Sequence, residues 1–293
     1  MASKALLVGL NRYPDPANNL RGCINDVLQM SELLRRGFGF DDVRQIRMLT
    51  DERATTAAIK DRLRWLLDSA GAGDVLVFHY SGHGAQVRDR HGDELDDGLD
   101  EIICPYDLDW DDPFTDDDLY ECLKGVPAGT NLTVVLDCCH AGTGLRDSAT
   151  PGRLRTRYKC LAAPLDIRHR TGLLVNTSGT GRGPATLPTP AALPLRQFGR
   201  KAAEAGATLL AACRADQLSA DAWIAGDFHG AFTYFLCAAA ESARFRISYG
   251  DLIERTRQSL NAHRFDQVPQ LEGPRAIGGQ SIFAPLARPS AAA

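Results

Sequence analysis

Asp74-Val75-Leu76-Val77-Phe78-His79-Tyr80-Ser81-Gly82-His83-Gly84 is a run of large apolar residues that stops at two glycines flanking a histidine. It lacks a period-two alternation, so both faces suit burial, as in a strand inside a parallel sheet. Asn131-Leu132-Thr133-Val134-Val135-Leu136 repeats the pattern and stops at Asp137-Cys138-Cys139-His140-Ala141-Gly142. Reactive groups thus follow two strand ends, where sites gather in parallel α/β sheets.

Working outward, Lys4 to Gly9, Val43 to Leu49, Glu101 to Cys104 and Thr208 to Ala212 read as further strands. Helical spacing appears through Val27, Met30, Leu33 and Leu34, and again through Ile59, Leu63, Leu66 and Leu67 after a start near Thr55. Asp116 to Leu123 predicts a short helix whose acidic start suits the helix dipole. Phe232 to Ala240 and Tyr249 to Leu260 predict two more. Strands alternating with helices imply an α/β fold with a mostly parallel central β-sheet flanked by helices on both faces. From Leu145 to about Ala205 the periodicity fails and Pro, Gly, Thr and Arg dominate, which predicts a flexible linker. The expected organisation is a large region over 1–145, a basic linker over 146–206, and a smaller region over 207–293 that completes the same domain.

The chain has 293 residues and a net charge of -4, which points away from nucleic acid and from anionic membrane surfaces. No apolar run approaches the ~20 residues of a membrane span. The first ten residues read as a strand, not a signal peptide. Eight cysteines at irregular spacing then suggest reduced thiols and a cytoplasmic setting. Charge is uneven. Residues 89–121 hold fifteen Asp or Glu and one Arg, whereas residues 146–206 hold eleven Lys or Arg and three Asp or Glu. Two solvated surface segments would explain this. So would an acidic stretch that binds a cation and a basic stretch that resembles substrate.

A cysteine nucleophile needs a base to form thiolate, and histidine is the usual one. That reading pairs Cys139 with His83 as a dyad. Small neighbours at Gly82, Gly84, Ala141 and Gly142 would admit a peptide backbone, and the amides of Gly84 and Cys139 would face a developing oxyanion. A zinc site built from His79, His83, Cys138, Cys139 and His140 lacks the usual ligand spacing.

Tyr80 to Gly84 together with Asp137 to Gly142 resembles the metacaspases, caspase-like cysteine peptidases. Asn19 to Asp26, the acidic motifs at Gly92-Asp93-Glu94, Asp100-Glu101, Pro105-Tyr106-Asp107 and Asp116-Asp117-Asp118, and the segments Cys213 to Asp221, His229 to Thr233 and Gln267 to Leu271 extend the likeness. It covers residues 4 to 145 and 206 to 273. The family usually carries Ser where this chain has Cys138; motif position and strand alternation select Cys139.

The resemblance implies a caspase-like fold, Cys139 as nucleophile, His83 as base and Gly84 as oxyanion donor. It also implies an acidic pocket of Asp26 and Asp137, supported by Cys23 and Ser81, that takes Arg or Lys before the scissile bond. Ca2+ is implied at Asp100, Asp116 and Asp117, with Asp147 standing near the family's fourth ligand. A monomer is the default. Plainer roles stay open: Asp26 as a helix cap, Asp137 as a strand terminator, the linker as a surface loop. Arg153, Arg155, Arg157 and Lys159 are candidates for self-processing or for cutting by an upstream activating protease. A silent scaffold that binds partners, or an Asp-specific caspase, are the competing functions.

Overall fold

The computed structural model describes residues 2–88, 99–140, 156–170, 201, 203–274 and 276–286. The strands are β1 (Ser3–Gly9), β2 (Ile46–Thr50), β3 (Val75–Ser81), β4 (Gly84–Arg88), β5 (Leu99–Ile103), β6 (Phe114–Thr115), β7 (Asn131–Asp137), β8 (Thr156–Tyr158), β9 (Thr208–Ala211), β10 (Ala220–Ile224), β11 (Asp227–Gly230) and β12 (Gln270–Glu272). The helices are α1 (Cys23–Phe38), α2 (Thr56–Leu67), α3 (Asp116–Leu123), α4 (Leu165–Arg170), α5 (Ala231–Ser242) and α6 (Tyr249–Ala262).

Among the described residues six strands form the main sheet in the order β12-β9-β7-β3-β1-β2. All neighbours run parallel except β12, which pairs antiparallel with β9. Side-chain alternation splits each central strand between two cores. Leu6, Val8, Leu76, Phe78, Tyr80, Leu132, Val134 and Leu136 face one side, with Ile59 and Leu63 of α2 and Leu119 and Leu123 of α3. Ala5, Leu7, Val75, Val77, Val135 and Leu210 face the other, with α1, α5 and α6. Both faces are therefore apolar, as the unbroken runs require.

Local chemistry sets the helix ends. Thr55 accepts from the Ala58 amide at 3.2 Å and starts α2. Thr115 and Asp118 form a reciprocal capping box on α3. Gly39 closes α1 with φ of 69°, a left-handed conformation that glycine adopts without strain.

Two smaller antiparallel sheets flank the main one, in the orders β11-β10-β8 and β4-β5-β6. Apart from the expected strand at Glu101 to Cys104, these strands were not visible in the sequence, because each is too short to carry a pattern of its own. The stretch 146–206 also departs from expectation. Where described, it contains a strand and a helix, and β8 is ordered by pairing with β10 at Tyr158↔Ala220, Arg157↔Asp221 and Thr156↔Ala222. In the acidic stretch Asp100, Glu101 and Asp116 are buried, so a solvated surface segment does not describe these three.

Tyr249 ties the end of the chain to the sheet. Its buried hydroxyl lies 2.5 Å from Thr133 Oγ1 and accepts from the Phe283 amide at 3.1 Å. Tyr249→Phe would strand that amide and the threonine hydroxyl in the core, at about 1–3 kcal/mol. The expected result is a lower urea midpoint with an unchanged m-value; an unchanged midpoint would contradict it.

Candidate active site

Strands β3 and β7 are adjacent and in register, with Ser81 opposite Asp137. His83 and Cys139 each lie two residues beyond that pair, so the sheet brings the two reactive groups to one edge. Both are buried.

His83 is held from three sides. Its amide donates to Tyr13 Oη at 2.8 Å, its carbonyl accepts from Tyr80 Oη at 2.7 Å, and its ring stacks on Tyr13 at 4.8 Å. Nε2 lies 2.7 Å from the Asn18 carbonyl. A carbonyl only accepts, so Nε2 carries the proton and Nδ1 is left unprotonated. Nδ1 makes no hydrogen bond. The partner that orients the His83 ring is thus a backbone oxygen, which side-chain motifs cannot reveal. Burial pushes the imidazole pKa down to about 4.

Cys139 Sγ accepts from the Ser219 amide at 2.9 Å. Burial pushes this thiol well above its ordinary pKa. The intact site therefore holds a neutral thiol and a neutral imidazole. Cys138 turns into the core beside Tyr80 and Phe78, and its Sγ lies 3.6 Å from His140 Nε2. His140 in turn faces Glu101 at 3.6 Å. The two adjacent cysteines thus occupy separate environments.

The Gly84 and Cys139 amides both donate to a single carbonyl, that of Lys159, at 3.1 Å each. A Cβ at Gly84 would strike the Cys139 carbonyl and the His140 ring, so glycine is required here. The Lys159 amide donates to the Ser219 carbonyl at 3.0 Å. Lys159 is a residue of the basic stretch, expected on a flexible loop, and it is fully buried.

Its side chain fills the acidic pocket. Nζ lies 3.0 Å from Asp26 Oδ2, 3.1 Å from Asp137 Oδ1 and 2.9 Å from Ser81 Oγ. An ammonium has three donors, and all three are used. Burial alone would lower the Lys159 pKa, but Asp137 and Asp26 outweigh it and hold it well above its usual value. The carboxylates then differ. Burial would raise Asp137, but Lys159 and the hydrogen bonds from Thr233 and Ser219 carry it below the usual range. Burial wins at Asp26, whose pKa is raised, although Ser81 and the Gly230 amide donate to it. Asp26 and Asp137 therefore both face the Lys159 amine. Cys23 is buried at the start of α1, its thiol pushed up by burial and opposed by Lys159.

Several pocket residues were missed in the sequence. Gly230 is one: a Cβ there would collide with the Lys159 amine and both carboxylates. Asp221 on β10 is a further acid, raised by burial to about 6 with Lys159 opposing. Ser219 and Thr233 support Asp137. Their signal was faint, since their partners lie 82 to 204 residues away in the chain.

At the predicted metal site Asp100 and Asp116 are buried and Asp117 is partly exposed. Lys201 Nζ lies 3.2 Å from Asp116 and 2.6 Å from Asp117. Burial lifts Asp116 to about 8, with Lys201 opposing and Glu101 and Asp100 adding to the rise. Among the described residues no three acids, histidines or cysteines converge as a ready ligand set. The buried Asp116 carboxylate pairs with the Lys201 amine, so a positive charge already stands beside these acids. Asp147, Arg153 and Arg155 lie outside the described residues. Arg157 is exposed, and its guanidinium donates to the Asn19 carbonyl.

The domain model for the metacaspase, peptidase C14 domain matches residues 3–147. The chain is 34% identical to Metacaspase-1 of Schizosaccharomyces pombe over 92% of this chain, and it spans 66% of that protein, just under two thirds. It is 34% identical to Metacaspase-1 of Emericella nidulans, over 96% of this chain and 72% of that one. The crystal structure of a Geobacter sulfurreducens protein superposes with a TM-score of 0.65 at 26% identity, covering 98% of this chain and 100% of that chain.

The buried imidazole makes a prediction about acid. Between about pH 6.5 and 4 the unfolded chain binds a proton at His83 that the folded chain refuses, so stability falls as pH drops through that window. In Cys139→Ala, NMR titration of His83 should show a midpoint near 4. Adding Lys159→Ala, which opens the cleft to water, should move it toward 6.5. A midpoint already at the ordinary value in the first protein would refute the buried state.

Proposed function

The chain belongs to the metacaspases, and on that footing we propose that it is a latent cysteine endopeptidase that cuts after lysine or arginine and whose first substrate is its own Lys159–Cys160 bond. The observation that carries this reading is the pose of Lys159: amine on two carboxylates, carbonyl on two amides, both beside Cys139.

In the reaction His83 Nδ1 takes the Cys139 proton as sulfur attacks the Lys159 carbonyl carbon. The oxyanion forms where the Gly84 and Cys139 amides already point. His83 returns the proton to the Cys160 nitrogen as the C–N bond breaks. Water, deprotonated by His83, then attacks the thioester, releases the Lys159 carboxylate and restores the thiol. The Asn18 carbonyl holds the imidazole in the tautomer this sequence needs, and stabilises it when charged.

The pocket supports a cation and disfavours an acidic side chain, which argues against an Asp-specific enzyme. Arginine can use the same carboxylates by bidentate contact. Bound Ca2+ would supply the positive charge that Lys201 now provides, with Asp116 and Asp117, and Asp100 nearby, as its carboxylates. We read Lys201 as a built-in competitor for that place. Free cysteines, all eight of which lie among the described residues, suit a cytoplasmic setting. Among those residues no helix is long and apolar enough to cross a membrane. Protein substrates, a monomeric state and no role for nucleic acid complete the proposal. The competing scaffold reading would leave Lys159 as a permanent plug.

A fluorogenic peptide with arginine before the cut, given with and without calcium, tests the activity. Release should vanish in Cys139→Ala and fall about a hundredfold in kcat/KM in Asp26→Asn, since removing one partner of a buried charge pair costs several kcal/mol. Mass spectrometry of the incubated chain should place the first cut after Lys159. Persistence of an intact chain that also ignores the peptide would favour the scaffold.

Lys201→Met removes a like charge from the cation site and should tighten Ca2+ binding by about tenfold or more, read by calorimetry. Unchanged or weaker binding would remove Lys201 from this role.

A further inference from the structure

The segment that fills the cleft does more than plug it, because its flanking residues are also seated. Tyr158, just before Lys159, sits opposite Ala220 in the β8–β10 pairing and packs on a small apolar cluster. Phe235 and Leu260 form the buried floor of that cluster, with Ile224, Tyr234 and Phe265 at its margin. The cluster is separate from the two main cores. Once Lys159 leaves the cleft, Tyr158 goes with it, and this floor loses its cover.

On the far side of the bond, the Leu161 amide donates to the Gly84 carbonyl at 2.9 Å, and Cys160 bridges Gly84. The Leu161 side chain packs against the larger core. Backbone pairing on both sides is sequence-blind and fixes the register of any bound strand. The side chains at fixed register then meet fixed surroundings, which is where selection arises. Arg157 is exposed, donates to the Asn19 carbonyl and sits opposite Asp221.

We propose that the cleft reads a second residue besides the basic one: it takes an aromatic or large aliphatic side chain immediately before the lysine or arginine, seated on the Phe235–Leu260 floor, and rejects a charged one there. The substrate class is a peptide of the form apolar-basic, cut after the basic residue. This rests on the peptidase reading above. A carboxylate placed against Phe235 and Leu260 would give up hydration to an apolar surface, a cost that the neutral Tyr234 hydroxyl at its margin offsets only in part.

The test uses the self-processed wild-type chain and three fluorogenic peptides, Thr-Arg-Tyr-Lys, Thr-Arg-Ala-Lys and Thr-Arg-Asp-Lys. The expected order of kcat/KM is Tyr, Ala, Asp, with about tenfold or more between the first and last. In the full chain, Tyr158→Phe should preserve self-cleavage and Tyr158→Asp should slow it by a similar factor. Three peptides cut at the same rate would overturn the subsite and leave the peptidase standing. Three peptides all left uncut by folded protein would overturn both.

Discussion

One ammonium group organises this site. Lys159 Nζ spends its three donors on Asp26, Asp137 and Ser81 and sits in full burial. Two carboxylates this deep would be costly without a cation, and the cation would be costly without them. The pairing fixes the position of the Lys159 backbone, which in turn points its carbonyl at the Gly84 and Cys139 amides and aligns β8 on β10. Burial lowers the His83 pKa and raises that of Cys139, so both favour their neutral forms. The position of the Lys159 carbonyl and the order of the linker strand both follow from one buried charge and its partners.

The central sheet was legible because its strands are continuous apolar runs and because its long helices repeat at helical spacing. Asp116 to Leu123 was read to the residue, since a threonine cap and three acids mark its start. The short strands β4, β6, β8, β10, β11 and β12 were not read. Their order comes from pairing with distant partners, and two to five residues carry too little pattern of their own.

The site divides in the same way. Cys139 and His83 announce themselves because each sits in a local motif at a strand end. Asn18 contributes a carbonyl, which every residue has, so no side-chain pattern marks it. Gly230 matters for the atoms it lacks, and those atoms would collide with partners far away in the chain. Lys159 looked like one basic residue among several in a loop. Only the cleft distinguishes it from Arg157 two positions earlier, which is exposed. The pairing of Lys201 with Asp116 and Asp117 likewise joins segments 84 residues apart.

The placement of β9 has a consequence for what a cut chain is. This strand comes late in the sequence, yet it lies inside the main sheet, with β7 on one side and β12 on the other. A break near residue 160 separates two polypeptides whose hydrogen bonds and cores remain shared. The nicked molecule is therefore a heterodimer born from one chain, held by an interface as large as a domain interior. Its folding becomes bimolecular, so its stability acquires a dependence on protein concentration that the intact chain does not have. Once such a pair dissociates, its halves must find each other again by diffusion.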